Sequence, residues 1–292
     1  MTLAAALKLG RVSNLPTVWT NTLAGIVLSD FGAGGITTLP ILLFVLLSMS
    51  LFYVGGMYLN DAFDAEVDAS ERSERPIPAG LVSRQTVFIC GFAMLAVGWA
   101  ILLWIGLNGQ TGLWPAAGGI ALAAAIILYD WHHKANPLSP LIMGVCRMLV
   151  YVTAGLCFVA PAPLATWLGA LALLSYLIGL TYTAKQENIG RVENAWPLVF
   201  LAVPVIAGLW FVMDSPANLA VWLIFAGWLG FCLWLVRRRG PGDIPRAVGG
   251  MIAGIALLDA MLITAMGATA VAGLAIVGFL LTLAFQRFIP GT

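Results

Sequence analysis

Long apolar runs alternate with short polar joints along this chain, and the runs have the length of membrane-crossing helices. A helix that spans the hydrocarbon core needs about 20 predominantly apolar residues. The runs are Asn14–Ser29, Leu39–Leu59, Arg84–Leu107, Gly112–Tyr129, Leu138–Ala160, Leu164–Ala184, Ala195–Met213, Asn218–Val236, Ala247–Met266 and Thr269–Phe285. The first is short and contains Pro16, and only Gly267 and Ala268 separate the last two. The pattern therefore predicts nine transmembrane helices, or ten if every run crosses separately. The joints also suggest two pseudo-repeated four-helix halves. Runs one and two lead to Asn60–Asp68, and runs five and six lead to a second polar stretch from Tyr182 to Asn194. Such halves would bring both polar stretches to one central mouth, as internal duplication does in other membrane proteins.

Composition turns this pattern into a fold class. The chain is 61% hydrophobic and 9% charged, with a mean hydropathy of +0.97, whereas a soluble domain carries about 25% charged residues. The expectation is an all-α polytopic membrane protein, one domain over residues 1–292. Net charge is +1, with the basic residues dispersed among short joints, which offers no nucleic-acid surface. Cys90, Cys146, Cys157 and Cys232 each fall inside an apolar run without a C-x-x-C pair, and read as buried small hydrophobes. Lys8 and Arg11 precede the first run and no small-residue cleavage site follows, so that run reads as a retained span.

The basic residues fix an orientation. Lys8 and Arg11 precede run one; Arg72, Arg75 and Arg84 follow run two; Lys134 follows run four; Lys185 and Arg191 follow run six. Arg237, Arg238, Arg239 and Arg246 follow run eight, and Arg287 ends the chain. The alternate joints around Asp30, Asn108, Pro161 and Asp214 have no Lys or Arg. The positive-inside rule assigns the basic side to the cytoplasm, giving a multi-pass protein of the cell inner membrane with its acidic stretch facing the cytoplasm.

That stretch is the densest run of acid in the sequence. If run two continues as a helix, each residue advances about 100°. Asn60, Asp61, Asp64 and Asp68 then share an arc of roughly a quarter turn. Carboxylates so placed repel one another unless a positive charge lies among them. Hard divalent cations such as Mg²⁺ suit oxygen ligands and bring phosphate oxygens with them. The competing reading is a solvated acidic loop at a membrane surface.

Other polar residues divide between function and architecture. Arg147 lies within run five, where an unpaired charge costs several kcal/mol, so it must face a cavity or pair with an acid; the cavity is the favoured reading. Asp259 in run nine is a functional suspect on the same ground, with pairing to a polar group of a neighbouring helix as the competitor. Asp130-Trp131-His132-His133-Lys134 reads as a polar, aromatic-belted loop rather than a metal site or a general base, because adjacent helix positions point about 100° apart.

The order Asn60-Asp61-x-x-Asp64-x-x-x-Asp68, followed by Arg75-Pro76-Ile77-Pro78-Ala79-Gly80, resembles the UbiA superfamily of intramembrane prenyltransferases. Arg11-Val12-Ser13-Asn14, and Tyr129 with Lys134, extend the resemblance over essentially the whole chain. It implies nine helices around a central cavity, a prenyl diphosphate bound through Mg²⁺ held by two acidic motifs, and transfer of the prenyl group to an aromatic or other lipophilic acceptor. By position, Asn60, Asp61, Asp64 and Asp68 would form the first Mg²⁺–diphosphate cluster. Arg75 and Lys134 would clamp the diphosphate, with Asn14 and Arg147 as further cavity candidates. The second motif departs from the family: Glu187 is followed by Arg191 where the family has aspartates at helical spacing. Glu187 would then ligate alone or with Asn188 and Asn194, or Lys185 and Arg191 would neutralise phosphate directly. Gly190 leaves Glu193 as an additional ligand candidate.

The first expectation is therefore Mg²⁺-dependent prenyl transfer within the membrane. A catalytically diverged lipid-binding or assembly protein, and a cation-dependent transporter, are the alternatives. Membrane lipids, a prenyl diphosphate and a lipophilic acceptor are the expected partners.

Overall fold

The computed structural model describes residues 2–29, 39–134, 136–186, 194–289 and 291. Among these the chain is helical throughout. Its α-helices are α1 (Leu3–Leu9), α2 (Leu15–Leu28), α3 (Leu39–Glu71), α4 (Arg84–Asn108), α5 (Trp114–His132) and α6 (Ser139–Leu156). They continue with α7 (Leu164–Lys185), α8 (Ala202–Gly208), α9 (Pro216–Arg238), α10 (Asp243–Ala265) and α11 (Thr269–Phe285). Short 3₁₀ segments at Val12–Asn14 and Trp196–Leu201 lead into α2 and α8.

Seven helices, α3 to α7 with α9 and α10, are long and apolar enough to cross a membrane; Trp196–Gly208 and Thr269–Phe285 are shorter apolar helices. α10 and α11 are separate elements, joined by a turn at Gly267, whose φ of 80° suits a residue without a side chain. The seventh apolar run was expected to form one helix over Ala195–Met213. It instead begins as a 3₁₀ segment and continues as the seven-residue α8. Pro204 removes a backbone donor that an α-helix continuing from Trp196 would require, whereas Pro197 lies in the first turn, where no such donor is needed.

The second run extends well beyond Leu59. α3 has 33 residues, about 50 Å at 1.5 Å per residue, against a hydrocarbon thickness of about 30 Å. No Gly or Pro lies between Asn60 and Glu71 to stop it. Pro76, Pro78 and Gly80 follow in the turns that lead to α4. The acidic stretch therefore stays helical, and Asn60, Asp61, Asp64 and Asp68 are all buried.

Two cores flank the middle of the bundle. One joins Met49, Phe52, Leu102 and Leu122 on α3 to α5. The larger surrounds α10, buried along most of its length, with Tyr176, Phe225 and Leu257 among its members. α2 and α6 cross between them. A Cβ at Gly25 would collide with the Tyr151 backbone, so glycine is what permits that crossing. Leu43, Leu47, Ile89 and Leu223 point outward, as lipid-facing positions do. The four cysteines are free thiols, three buried and Cys90 partly so.

Candidate functional site

A cavity of about 500 Å³ opens between the two cores, within the 300–1,000 Å³ typical of small-molecule sites. Its apolar wall includes Val18, Met49, Phe52, Leu122, Leu177 and Ile252, drawn from α2, α3, α5, α7 and α10. Its polar part holds six Arg or Lys and four Asp or Glu side chains. An apolar hollow thus carries a charged rim of mixed sign.

The end of α3 sets the acids in place. The four-residue steps from Asn60 to Asp64 and from Asp64 to Asp68 put all three on the cavity wall. Asp61, although 5% exposed, is absent from that wall and braces two arginines. Its Oδ1 accepts from Arg11 Nη2 at 3.2 Å and from Arg75 Nη1 at 3.3 Å. Arg75 Nη1 also donates to Asp68 Oδ2 at 2.7 Å. Lys134 Nζ lies 3.5 Å from Asp64 Oδ2 and 3.8 Å from Asp68 Oδ1. Every acid of the α3 motif is therefore met by a long cationic side chain.

Arg11 completes this arrangement from 49 residues away. Its Nη2 also donates to Asn60 Oδ1 at 3.3 Å, and Tyr53 Oη donates to its carbonyl at 3.1 Å. Its backbone is left-handed, φ 40° and ψ 47°, a conformation that costs a non-glycine residue about 1–2 kcal/mol and is held by these contacts. Burial alone lowers the pKa of its guanidinium, but the charge of Asp61 and the neighbouring tyrosines more than offset that, leaving it above the ordinary value. In the sequence Arg11 reads as a flanking charge and as part of the family resemblance, and nothing local marks it as a site residue.

Asn14, Asn60, Asp64, Asp68, Arg75, Lys134, Arg147 and Lys185 all line the one cavity. Asn14 Nδ2 donates to the Gly291 carbonyl at 2.8 Å and its Oδ1 accepts from Gln286 Nε2 at 3.1 Å. Lys185 Nζ donates to Ser139 Oγ at 2.8 Å and to the Asn136 carbonyl at 3.1 Å, tying the end of α7 to the start of α6. Arg147 Nη1 donates to Asn21 Oδ1 at 2.9 Å, and its guanidinium carbon lies 5.4 Å from the Tyr53 ring centre. Glu187, Asn188, Arg191 and Glu193 lie outside the described residues. Asn194 Oδ1 caps the following turn by accepting from Trp196 N.

The loop reading of Asp130–Lys134 holds for His133 and Lys134 but not for Asp130, Trp131 and His132. α5 runs through His132, which turns Asp130 and His133 into the cavity and leaves Trp131 and His132 outside. His133 Nε2 is 3.4 Å from Asp64 Oδ2, and the ring stacks on Tyr129 at 4.9 Å. Asn60 Nδ2 donates to Asp130 Oδ1 at 3.2 Å. The missed signal was the spacing of Tyr129, Asp130 and His133, one helical turn that shares a face.

Among the described residues no three His, Cys, Asp or Glu side chains converge to hold a metal unaided. The oxygen donors of Asn60, Asp64 and Asp68 are nonetheless hard ligands on one wall. Mg²⁺ commonly takes one or two carboxylates and completes its shell with water and phosphate oxygens. The donor set fits such an ion when it arrives with a phosphate.

Fold and rim together define a membrane-embedded helical bundle with a charged opening onto an apolar hollow. Residues 18–251 match the model of the UbiA prenyltransferase family, and the chain belongs to that family. Over 188 residues it is 34% identical to a digeranylgeranylglyceryl phosphate synthase of Thermococcus gammatolerans, covering 64% of each chain. Over 118 residues it is 34% identical to a protoheme IX farnesyltransferase of Korarchaeum cryptofilum, covering 39% of this chain and 38% of that one. The matched stretches span less than two thirds of the length of these curated relatives. A solved UbiA homologue from Aeropyrum pernix superposes with a TM-score of 0.61 at 14% identity, covering 87% of this chain and 97% of the other. A solved digeranylgeranylglyceryl phosphate synthase superposes with a TM-score of 0.63 at 17% identity, covering 92% and 99%. Both likenesses concern the fold.

Proposed function

We propose that this protein transfers a prenyl group from a prenyl diphosphate to a lipophilic or aromatic acceptor within the membrane, with Mg²⁺ as cofactor. The observation that carries the proposal is the cavity itself, where Arg11, Arg75, Lys134 and Lys185 stand with Asp64 and Asp68 above apolar walls. The relatives' names have prenyl transfer in common, and that shared step is the one proposed. Their acceptors differ by name, so no single acceptor is carried over. The acidic rim is assigned to the cytoplasmic side by the distribution of basic joints.

In the proposed reaction the allylic carbon–oxygen bond breaks heterolytically and diphosphate departs with the electron pair. The acceptor's nucleophilic atom bonds to the freed carbon and gives up its proton. Asn60, Asp64 and Asp68 would hold Mg²⁺, which when bound neutralises charge on the diphosphate. Arg75 and Lys134 now rest on carboxylates that the ion would take over, and they are long enough to turn to phosphate oxygens instead. Arginine's planar fork suits bidentate phosphate contact, and lysine supplies a point charge. Asp61 keeps Arg11 and Arg75 at the rim. The apolar walls receive the prenyl chain and exclude water from the cationic carbon.

The test is binding to the purified protein in detergent, with and without Mg²⁺, of geranyl, farnesyl and geranylgeranyl diphosphates against inorganic diphosphate. Mg²⁺-dependent binding that favours a prenyl chain and is lost in Asp64→Asn is the expected result. Equal affinity for inorganic diphosphate, or binding indifferent to Mg²⁺, would overturn it and favour ion transport or a diverged lipid-binding role.

A further inference from the structure

Asp130 differs from the other buried acids of the rim. Asp61 meets Arg11 and Arg75, Asp68 meets Arg75 and Lys134, and Asp64 meets Lys134 and His133. Among the described residues no cation stands within ion-pair distance of Asp130. Its Oδ1 accepts from Asn60 Nδ2, while its Oδ2 is buried without any hydrogen-bond partner. The residue is 4% exposed and lies on the cavity wall.

A buried carboxylate oxygen that has lost water and gained no donor is costly. A proton on Oδ2 would remove the charge but leave the new O–H equally unpaired. A hard divalent cation removes both problems, because it binds the oxygen directly and takes its remaining ligands from water and phosphate. The surroundings already suit that role. The Asn60 amide holds Oδ1 and is itself held by Arg11 Nη2 at 3.3 Å, so the carboxylate is oriented with Oδ2 left over. Ligating carboxylates are characteristically hydrogen-bonded by neighbouring side chains, and Asn60 does this with its amide nitrogen, so that its oxygen remains the atom offered to the ion.

We propose that Asp130 is a divalent-cation ligand, supplying from α5 a carboxylate oxygen to an ion whose other protein ligands come from α3. The Asn60–Asp130 hydrogen bond would then couple the two helices that share the ion. The proposal rests on the metal-dependent reading of the cavity given above and adds to it a ligand outside the α3 motif.

The test is Mn²⁺ binding, read as the loss of the free-ion electron paramagnetic resonance signal. It uses the full chain in detergent with inorganic diphosphate present. Wild type, Asp130→Asn and Asp130→Glu are compared, and thermal unfolding without metal is recorded for each. Asp130→Asn is expected to weaken Mn²⁺ binding about tenfold or more. Its metal-free unfolding temperature should be no lower than wild type, because an amide needs no counter-charge. Asp130→Glu, which keeps the carboxylate but displaces it, should bind Mn²⁺ more weakly than wild type and more tightly than Asp130→Asn. Wild-type affinity and stoichiometry in Asp130→Asn would overturn the proposal and leave the metal-dependent reading intact. Should the amide variant not fold, wild-type affinity in Asp130→Glu overturns it instead. Absence of Mn²⁺ binding in the wild type would overturn both.

Discussion

Asp64 and Asp259 are both buried carboxylates, on α3 and α10, but one faces cations around a cavity and the other faces neutral donors inside the core. Asp259 is fully buried and accepts twice from Asn21 Nδ2, at 3.0 and 2.9 Å, and once from Tyr151 Oη. Asn21 in turn accepts from Arg147 at the cavity wall. Three helices, α2, α6 and α10, therefore meet on one acid through fully buried side chains that have little room to move. At the rim, arginine and lysine reach Asp64 and Asp68 on flexible stems that can turn to another anion while the backbone stays still. The same residue type thus fixes architecture in one place and is held ready for exchange in the other. Satisfied buried networks specify packing, while cations on long side chains at a cavity rim suit ligand capture.

This contrast can be broken at several points. The largest effect is expected from Asp64→Asn or Asp68→Asn, each lowering the proposed Mg²⁺-dependent turnover about 10²–10³-fold, the range seen when one transition-state charge contact is removed. Unfolding temperature should barely change, and full activity in both variants would remove the functional half of the comparison. Asp259→Ala should do the reverse. It leaves Asn21 Nδ2 and Tyr151 Oη without their acceptor, at about 1–3 kcal/mol for each buried group, measured by denaturation in detergent. Wild-type stability in that variant would show that the network does not hold α10. Gly25→Ala, at the crossing of α2 and α6, should lose about 1–3 kcal/mol by overpacking. Glu66→Gln is the control: its partner Arg84 is 2.8 Å away, but Glu66 is 83% exposed, so the change should stay below about 1 kcal/mol and leave turnover unaltered.

Local pattern made much of the architecture legible. Run lengths announced the membrane helices, and the quarter-turn spacing of Asn60, Asp61, Asp64 and Asp68 placed them on one side of α3. The depth of Arg147 and Asp259 in their runs required polar company, which Asn21 supplies to both. What escaped depends on contacts remote in sequence. Nothing near Arg11 says that it will reach Asn60 and Asp61, and helical spacing could not tell that Asp61 would turn behind the cavity wall. Asp130 and His133 were obscured by their polar neighbours. Once α5 is known to continue through His132, the face they share with Tyr129 follows from geometry. Pro204 was visible in the seventh run, but hydropathy alone weighed its length and not its missing donor.

The unbroken length of α3 has a further consequence under the proposed reading. Asp64 at the rim and Phe52 in the apolar wall stand on one helix, twelve residues or about 18 Å apart along its axis. A continuous hydrogen-bonded rod neither stretches nor folds between those two marks, so α3 acts as a caliper with one jaw on the diphosphate and the other on the hydrocarbon tail. Its setting would be changed by trimming or enlarging the side chain at the apolar jaw, and not by loosening the loops that hold the rest of the bundle.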